Sequence, residues 1–132
     1  MKKLIGKKIN GISINGDQSI LSFDTDQGRV NYIAYGYCCS DSWFSDITGM
    51  SALIGGTVAS AKMVSMNGYN VDDGRCRQEE DTAYGWKLTT NKGYADIVFR
   101  NSSNGYYGGS LEDYDLLALP EDMTVIAGDW HA

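Results

Sequence analysis

The chain has 132 residues, enough for a single domain with its own hydrophobic core. Its 16 Gly and 9 Tyr favour a turn-rich β protein over a helical bundle, because Gly permits tight turns and Tyr suits half-buried sheet surfaces. The net charge of −6, with 11 mostly scattered basic residues, argues against a protein that embraces duplex DNA.

The N-terminus and the cysteines indicate a cytoplasmic protein. No apolar run follows Lys2 and Lys3 as it would in a secretory signal. No segment approaches the ~20 apolar residues that span a bilayer, so no membrane partner is expected. The three cysteines, Cys38, Cys39 and Cys76, cannot all pair and indicate reduced thiols.

Two pairs of similar sequence segments predict an internal duplication. Residues 4–9 (LIGKKI) recur as residues 53–58 (LIGGTV), and residues 25–29 (TDQGR) recur as residues 90–94 (TNKGY). The second offset is longer than the first, which fits an insertion near residues 67–82. We therefore predict an α+β fold, mostly antiparallel β, with two β-β-β repeats over residues 4–37 and 53–109.

Alternating apolar residues predict three strands in each repeat. In the first repeat these strands cover residues 8–14, 19–25 and 30–37, and in the second they cover residues 57–66, 84–90 and 95–100. The alternation slips near Gly11, which indicates a bulge. Residues 26–28 (DQG) and 91–93 (NKG) predict equivalent hairpin loops in which the Gly takes a positive φ.

A short helix is predicted between the repeats, over residues 41–52. Trp43, Phe44, Ile47 and Met50 recur there at helical spacing, and Ser40 or Asp41 can cap the first turn. A C-terminal extension is predicted over residues 110–132. Its apolar residues 116–119 and 123–126 flank Pro120 and indicate a hairpin or an edge strand.

The residue types that enzymes need are sparse. The single histidine, His131, lies next to the C-terminus and is expected to be frayed. The adjacent Cys38 and Cys39 have the wrong spacing for a zinc site, and no phosphate-binding Gly-Lys loop or Gly-x-Ser-x-Gly motif occurs. The acidic residues 72–73 and 79–81 are expected to be solvated loop faces. We predict a protein that is not an enzyme and uses no metal or cofactor.

Residues 100–110 (RNSSNGYYGGS) are the main candidate for a ligand site. Backbone N–H groups of such a Gly-rich loop can hold an anion, and Tyr faces can stack on a nucleotide base. Arg100 can pair with a phosphate in a bidentate manner. The alternative is that the Asn-Gly and Gly-Gly pairs shape a turn while the tyrosines cover the sheet.

A second cluster, residues 35–43 (YGYCCSDSW), occupies the equivalent place after the first repeat. If the duplication holds, the two clusters meet across a pseudo-twofold axis. The cysteines in this cluster are otherwise small core residues. The candidate ligand-binding residues are Arg100, Asn101, Ser102, Ser103, Asn104, Tyr106, Tyr107, Cys38, Ser40 and Trp43.

At these clusters the chain resembles a family of small uncharacterised bacteriophage and prophage proteins. The resemblance rests on a CCS-x-x-W cluster at residues 38–43 and an RNSSNGYYGGSLE run at residues 100–112. It spans residues 4–112 and departs at the insert near residues 67–81 and in the tail after Asp113. It implies a viral protein in the cytoplasm of an infected bacterium, and it assigns no catalytic residues.

Three functions are compatible with these features. The first is a non-enzymatic binder that counters host defence by sequestering a nucleotide immune signal, with a homo-oligomer as one form that closes loops over the ligand. The second is an inhibitor that binds a host defence protein directly through its acidic surface and residues 67–81. The third is an enzyme that acts on a nucleotide.

Overall fold

A computed structural model describes residues 1–36, 41–65, 80–103, 109–113 and 119–131. Within these ranges the chain forms ten β-strands, one α-helical turn and one 3-10 turn at Lys2–Leu4. The strands are β1 (Ile9–Ile14), β2 (Ile20–Thr25), β3 (Gly28–Gly36), β4 (Asp41–Thr48), β5 (Val58–Ser65), β6 (Glu80–Thr90), β7 (Gly93–Ser103), β8 (Gly109–Asp113), β9 (Thr124–Val125) and β10 (Trp130–His131). The helix α1 covers Met50–Leu53. The prediction of a mostly antiparallel β protein with one short helix is confirmed.

The strands form two five-stranded antiparallel sheets. The first has the order β8-β3-β2-β1-β9, and the second has the order β10-β4-β7-β6-β5. The strand β4 follows β3 in the chain but pairs with β7, whereas β8 follows β7 but pairs with β3. The two halves of the chain therefore exchange their fourth strands.

One hydrophobic core lies between the sheets. The first sheet contributes Ile12, Leu21, Phe23 and Tyr32, and the second contributes Phe44, Ile47, Leu88, Ile97 and Phe99. The rings of Phe44 and Phe99 meet edge to face, and Phe99 also stacks on Tyr84 at a centroid distance of 5.0 Å. The exchanged strand β4 thus packs its own aromatic residue into the core of the other half.

The segment predicted as a helix over residues 41–52 is a strand over Asp41–Thr48, so that prediction is wrong except at α1. The physical reason is a β-bulge. Phe44 pairs with Phe99 and Asp46 pairs with Val98, so Ser45 is an extra residue. The bulge shifts the alternation, and Phe44 and Ile47 both reach the core at a spacing that imitates a helix.

The bulge predicted near Gly11 is confirmed, since the register of β1 on β2 shifts between Ile9 and Gly11. A matching shift occurs in β5 between Val58 and Ser60. The hairpin glycines Gly28 and Gly93 have φ values of 105° and 141°, as predicted.

Matching backbone hydrogen bonds join the start of β1 to the start of β5. Residues 4–9 and 53–58 match each other at an offset of 49 positions. Each hydrogen bond between the two segments has a counterpart in which donor and acceptor are the matching residues of the opposite segment. Gly6 N donates to Val58 O and Gly55 N donates to Ile9 O, both at 2.7 Å, while Ile9 N donates to Gly56 O and Val58 N donates to Lys7 O, both at 3.0 Å. The two hairpin turns match as well, because Asp26 Oδ1 accepts from Lys8 N and Asn91 Oδ1 accepts from Thr57 N.

The C-terminal residues 119–131, here called the strap, lie along one edge of each sheet. The strand β9 pairs with β1, and β10 pairs with β4. The expectation of an edge strand within residues 123–126 is confirmed by β9, whereas most of the apolar run 116–119 lies outside the described residues. His131 pairs with Asp46 in β10, so the expectation of a frayed histidine is wrong.

Candidate functional site at the paired crossovers

Two connections carry the chain from one sheet to the other. Residues 37–40 join β3 to β4, and residues 104–108 join β7 to β8. The strands that flank them pair with each other, since Gly36 lies opposite Gly109 and Asp41 lies opposite Ser102. The described ends of the two connections therefore lie side by side. The prediction that the two clusters meet is confirmed for their described ends.

The pairing of β4 with β7 brings the predicted site residues into direct register. Ser42 lies opposite Asn101, and Trp43 lies opposite Arg100. Directly opposed residues of an antiparallel pair project to the same face of the sheet. Because Phe99 projects into the core, alternation along β7 directs Arg100 to the opposite face of this sheet.

Three of these residues, here called the floor, are buried beside the described ends of the connections, with Trp43 and Arg100 on one face of the sheet and Asn101 on the core face. Trp43 is 0% exposed, Arg100 1% and Asn101 2%. The side-chain amide of Asn101 donates from Nδ2 to Ser42 Oγ at 2.8 Å, within the protein interior. Arg100 and Trp43 each take part in an interaction within the protein. A buried guanidinium requires such satisfaction, since an uncompensated buried charge is costly.

The burial of Arg100 changes the role that the sequence indicated for it. A side chain that is 1% exposed does not present its guanidinium to a phosphate in solvent. The burial thus assigns Arg100, Asn101 and Trp43 to the base of the candidate site.

The other predicted site residues fall at or beyond the ends of these strands. Ser102 and Ser103 are the last two residues of β7. Cys38, Ser40, Asn104, Tyr106 and Tyr107 lie outside the described residues, as does the insert at residues 67–79.

A cleft that the sequence did not indicate lies between the strap and the turn before β2. Its volume is about 410 Å³, and its lining includes Gln18, Asp129 and Trp130. The turn is held by Asn15, whose Oδ1 accepts the N–H groups of Ser19 and Ile20, each at 2.9 Å. The only sequence signal for this cleft was an aromatic residue close to the C-terminus, where order is not expected.

The strap is tied to the rest of the fold by two carboxylates. Asp122 Oδ2 accepts the N–H of Gly16 at 2.8 Å, and Asp129 Oδ1 accepts the N–H of Met50 at 2.9 Å. The second bond satisfies a donor at the start of α1 that has no partner within the helix. These two carboxylates of the strap therefore have a structural role, because they fix the strap to the backbone of other segments.

The described residues contain no group of three or more His, Cys, Asp or Glu placed to hold a metal ion. No helix within them is long and apolar enough to cross a membrane.

The fold and the crossovers define a class of small antiparallel β protein in which two halves exchange their fourth strands. The chain belongs to the family described as a domain of unknown function, DUF7448, which it matches over residues 2–112. It is also similar to the uncharacterized protein L278 of Acanthamoeba polyphaga mimivirus, with 32% identity over 117 residues. That alignment covers 84% of this chain and 82% of the mimivirus protein. No solved structure matches the chain.

The resemblance to proteins of unknown function is therefore confirmed, and a viral relative exists. The family match ends at residue 112, before the strap begins. The strap lies outside the residues that the family model matches.

Proposed function

We propose that this protein is a non-enzymatic viral binding protein that sequesters a nucleotide-derived immune signal of its host. The observation that carries the proposal is that the described ends of the two connections pair with each other beside the buried residues Trp43, Arg100 and Asn101. A rigid, buried base supports loops in one geometry, and ligand sites are commonly built from loops on such a scaffold. The loop over residues 104–108 (NGYYG) supplies the amide, backbone and aromatic groups that bind a base and a phosphate.

The viral setting is supported by the mimivirus relative. A phage origin and a place in the cytoplasm of an infected bacterium are the finer parts of the proposal. In that setting a protein that binds and holds a signal needs no catalytic residues. It needs affinity and abundance, since it lowers the free concentration of the signal.

We infer further that the chain holds two copies of one four-strand unit. Support comes from the matching hydrogen bonds between residues 4–9 and 53–58, the matching bulges in β1 and β5, and the exchange of β4 and β8. A pseudo-twofold axis that relates the two copies also relates the two crossovers. One composite site per chain then lies on that axis, and we expect one ligand per chain.

The first test is thermal shift and calorimetry of the full chain against cyclic and linear nucleotides, including cyclic ADP-ribose types. A ligand at about 1,000 times its Kd should stabilise the protein by roughly 4 kcal/mol. Calorimetry should give one site per chain. Recovery of the ligand intact after heat denaturation separates a sponge from an enzyme that converts the nucleotide.

A matched pair of variants locates the site. Tyr106→Ala should weaken binding at least tenfold, because stacking on a base contributes about 1–3 kcal/mol. Tyr94→Ala is the control, since Tyr94 is 62% exposed on β7 away from the crossovers. Flat thermal curves across the whole panel would contradict the sponge. They would favour the alternative, an inhibitor that binds a host defence protein through its acidic surface.

A further inference from the structure

The strand β5 forms one edge of the second sheet, and no other described strand pairs with its outer side. It is eight residues long, which is long for an exposed edge. Its counterpart β1 has the same bulge near its start, but β1 is covered by the strap. The outer side of β1 is therefore paired with a strand, whereas the matching outer side of β5 is unpaired within the described residues.

When the two bulges are aligned, each residue of β1 matches the residue 49 positions later in β5. The exposed fractions of the matched side chains differ between the paired edge and the open edge. On β1, Ser13 and Ile14 pair with Val125 and Thr124 of the strap, and Ile14 is 5% exposed. The residues 49 positions later are Lys62 and Met63 of β5, and Met63 is 56% exposed. The edge of β5 thus leaves open a residue whose equivalent is covered by an added strand.

Trp86 lies on the strand next to this edge. It lies opposite Met63 on β6 and packs partly against the core.

The other face of this edge carries positive charge. Lys62 lies directly opposite Lys87, and like charges in this position repel each other. Lys87 is compensated on its other side, where Asp96 lies opposite it and the ring of Tyr94 lies 4.4 Å from its Nζ. Lys62, at the edge, has no strand beyond it to supply a carboxylate within the described sheet.

We propose that β5 is a docking edge for an extended segment of a partner protein, which adds to the sheet as a further antiparallel strand. The segment carries an apolar residue that covers Met63 and Trp86 on the core side and a carboxylate opposite Lys62 on the other side. Backbone hydrogen bonds supply affinity in this mode of recognition, and the alternating side chains supply specificity. The charge of Lys62 and Lys87 disfavours a second copy of β5 as the occupant.

The strap itself provides the probe, because it already pairs with the equivalent positions of β1. A free peptide of residues 120–131 with Thr124→Val, which places an apolar residue opposite Met63, is capped at both ends and titrated into the full chain while backbone amide signals are followed. The shifts should fall at Ala61, Lys62 and Met63 and not on β1. The tethered strap keeps β1 occupied through its high effective concentration.

The sharper test uses a double-mutant cycle. In the strap register Val125 lies opposite Ser13, so the same peptide on β5 places Val125 opposite Lys62. The same peptide with Val125→Glu should therefore bind roughly fivefold more tightly than the one that keeps Val125, as an exposed ion pair permits. Lys62→Glu in the protein should remove this preference. Arg29→Glu is the charge-matched control on the other sheet, and it should retain the preference.

Three results would overturn the proposal. One is the absence of β5 shifts with both peptides at millimolar concentration. Another is equal affinity of the two peptides for the wild-type protein. The third is a concentration-dependent change of the β5 amides without peptide, since that would place a second copy of the chain on this edge. If Lys62→Glu does not fold, Lys62→Gln replaces it in this experiment. Its melting curve is first compared with that of the wild-type protein and should be unchanged.

Discussion

Lys8 and Thr57, 49 residues apart, form an antiparallel bridge with each other. They also hold equivalent positions, since Lys8 N donates to Asp26 Oδ1 and Thr57 N donates to Asn91 Oδ1. Two equivalent residues that pair with one another lie on opposite sides of a local twofold axis. Such a bridge is what the proposed duplication predicts at the axis between its two copies.

The two hairpin threonines should differ in their contribution to stability. Thr90 Oγ1 donates to Ala52 O at 2.7 Å and accepts from Lys92 N, whereas Thr25 Oγ1 bonds only within its own turn. Thr90→Val leaves the Ala52 carbonyl without this donor, and we expect it to lower the free energy of unfolding by about 1–3 kcal/mol.

Thr25→Val is the matched control and should cost less, on the order of 1 kcal/mol. Urea denaturation of both variants measures the difference. An equal loss would mean that the bond to Ala52 does not stabilise the contact between α1 and the hairpin.

Gly49 should be far less replaceable than Gly6, although both have a positive φ near 80°. A Cβ at Gly49 would lie 2.3 Å from the carbonyl oxygen of Tyr94, while a Cβ at Gly6 would meet nothing within 4 Å. Gly6→Ala should cost about 1 kcal/mol, which is the penalty of the left-handed conformation alone.

Gly49→Ala should cost roughly 2–4 kcal/mol, because steric overlap with β7 adds to that penalty. Chemical denaturation of the two variants, compared with the wild-type chain, checks the ratio. Similar losses at both glycines would contradict the close approach of the residue before α1 to β7.

The strap should be stabilising through Ile126 and not through Val125. Ile126 is 6% exposed, and its N–H donates to Ile12 O at 2.8 Å, whereas Val125 is 74% exposed. Ile126→Ala should lower the free energy of unfolding by about 2–4 kcal/mol, since it removes buried apolar volume. Val125→Ala should change it by less than ~0.5 kcal/mol. Comparable effects in thermal and urea melts would show that the strap is not packed as described.

Substitutions at Arg100 and at Tyr106 should have different effects. The first should lower the stability of the protein, and the second should weaken ligand binding. Arg100→Ala empties a fully buried position and should cost about 2 kcal/mol or more, with a lower melting temperature in the absence of any ligand. Tyr106→Ala should weaken the ligand and leave the melting temperature of the free protein nearly unchanged. If Arg100→Ala melts like the wild-type protein and loses only binding, Arg100 contacts the ligand directly and is not part of the floor.

The local features of this protein followed from its sequence because they depend on neighbours in the chain. The slip near Gly11 indicated a bulge, and the DQG and NKG turns indicated hairpins with positive-φ glycines; the structure has all three. A turn or a bulge is decided by the backbone freedom of a few consecutive residues.

The error at residues 41–48 has the opposite origin. Phe44 and Ile47 have helical spacing, but Phe99 and Ile97 of β7 lie opposite them and make that segment a strand. Pairing with a strand about fifty residues away depends on packing, and local propensity does not predict it.

The amino-acid sequence by itself determined the β class, the hairpin turns and the bulge near Gly11, and the two clusters that flank the crossovers. Only the tertiary structure decided that β4 and β8 exchange between the halves, that Arg100 is buried, and that the strap covers β1 but not β5. The physical reason is that strand partners, burial and edge coverage depend on contacts between distant segments, which form only when the whole core assembles.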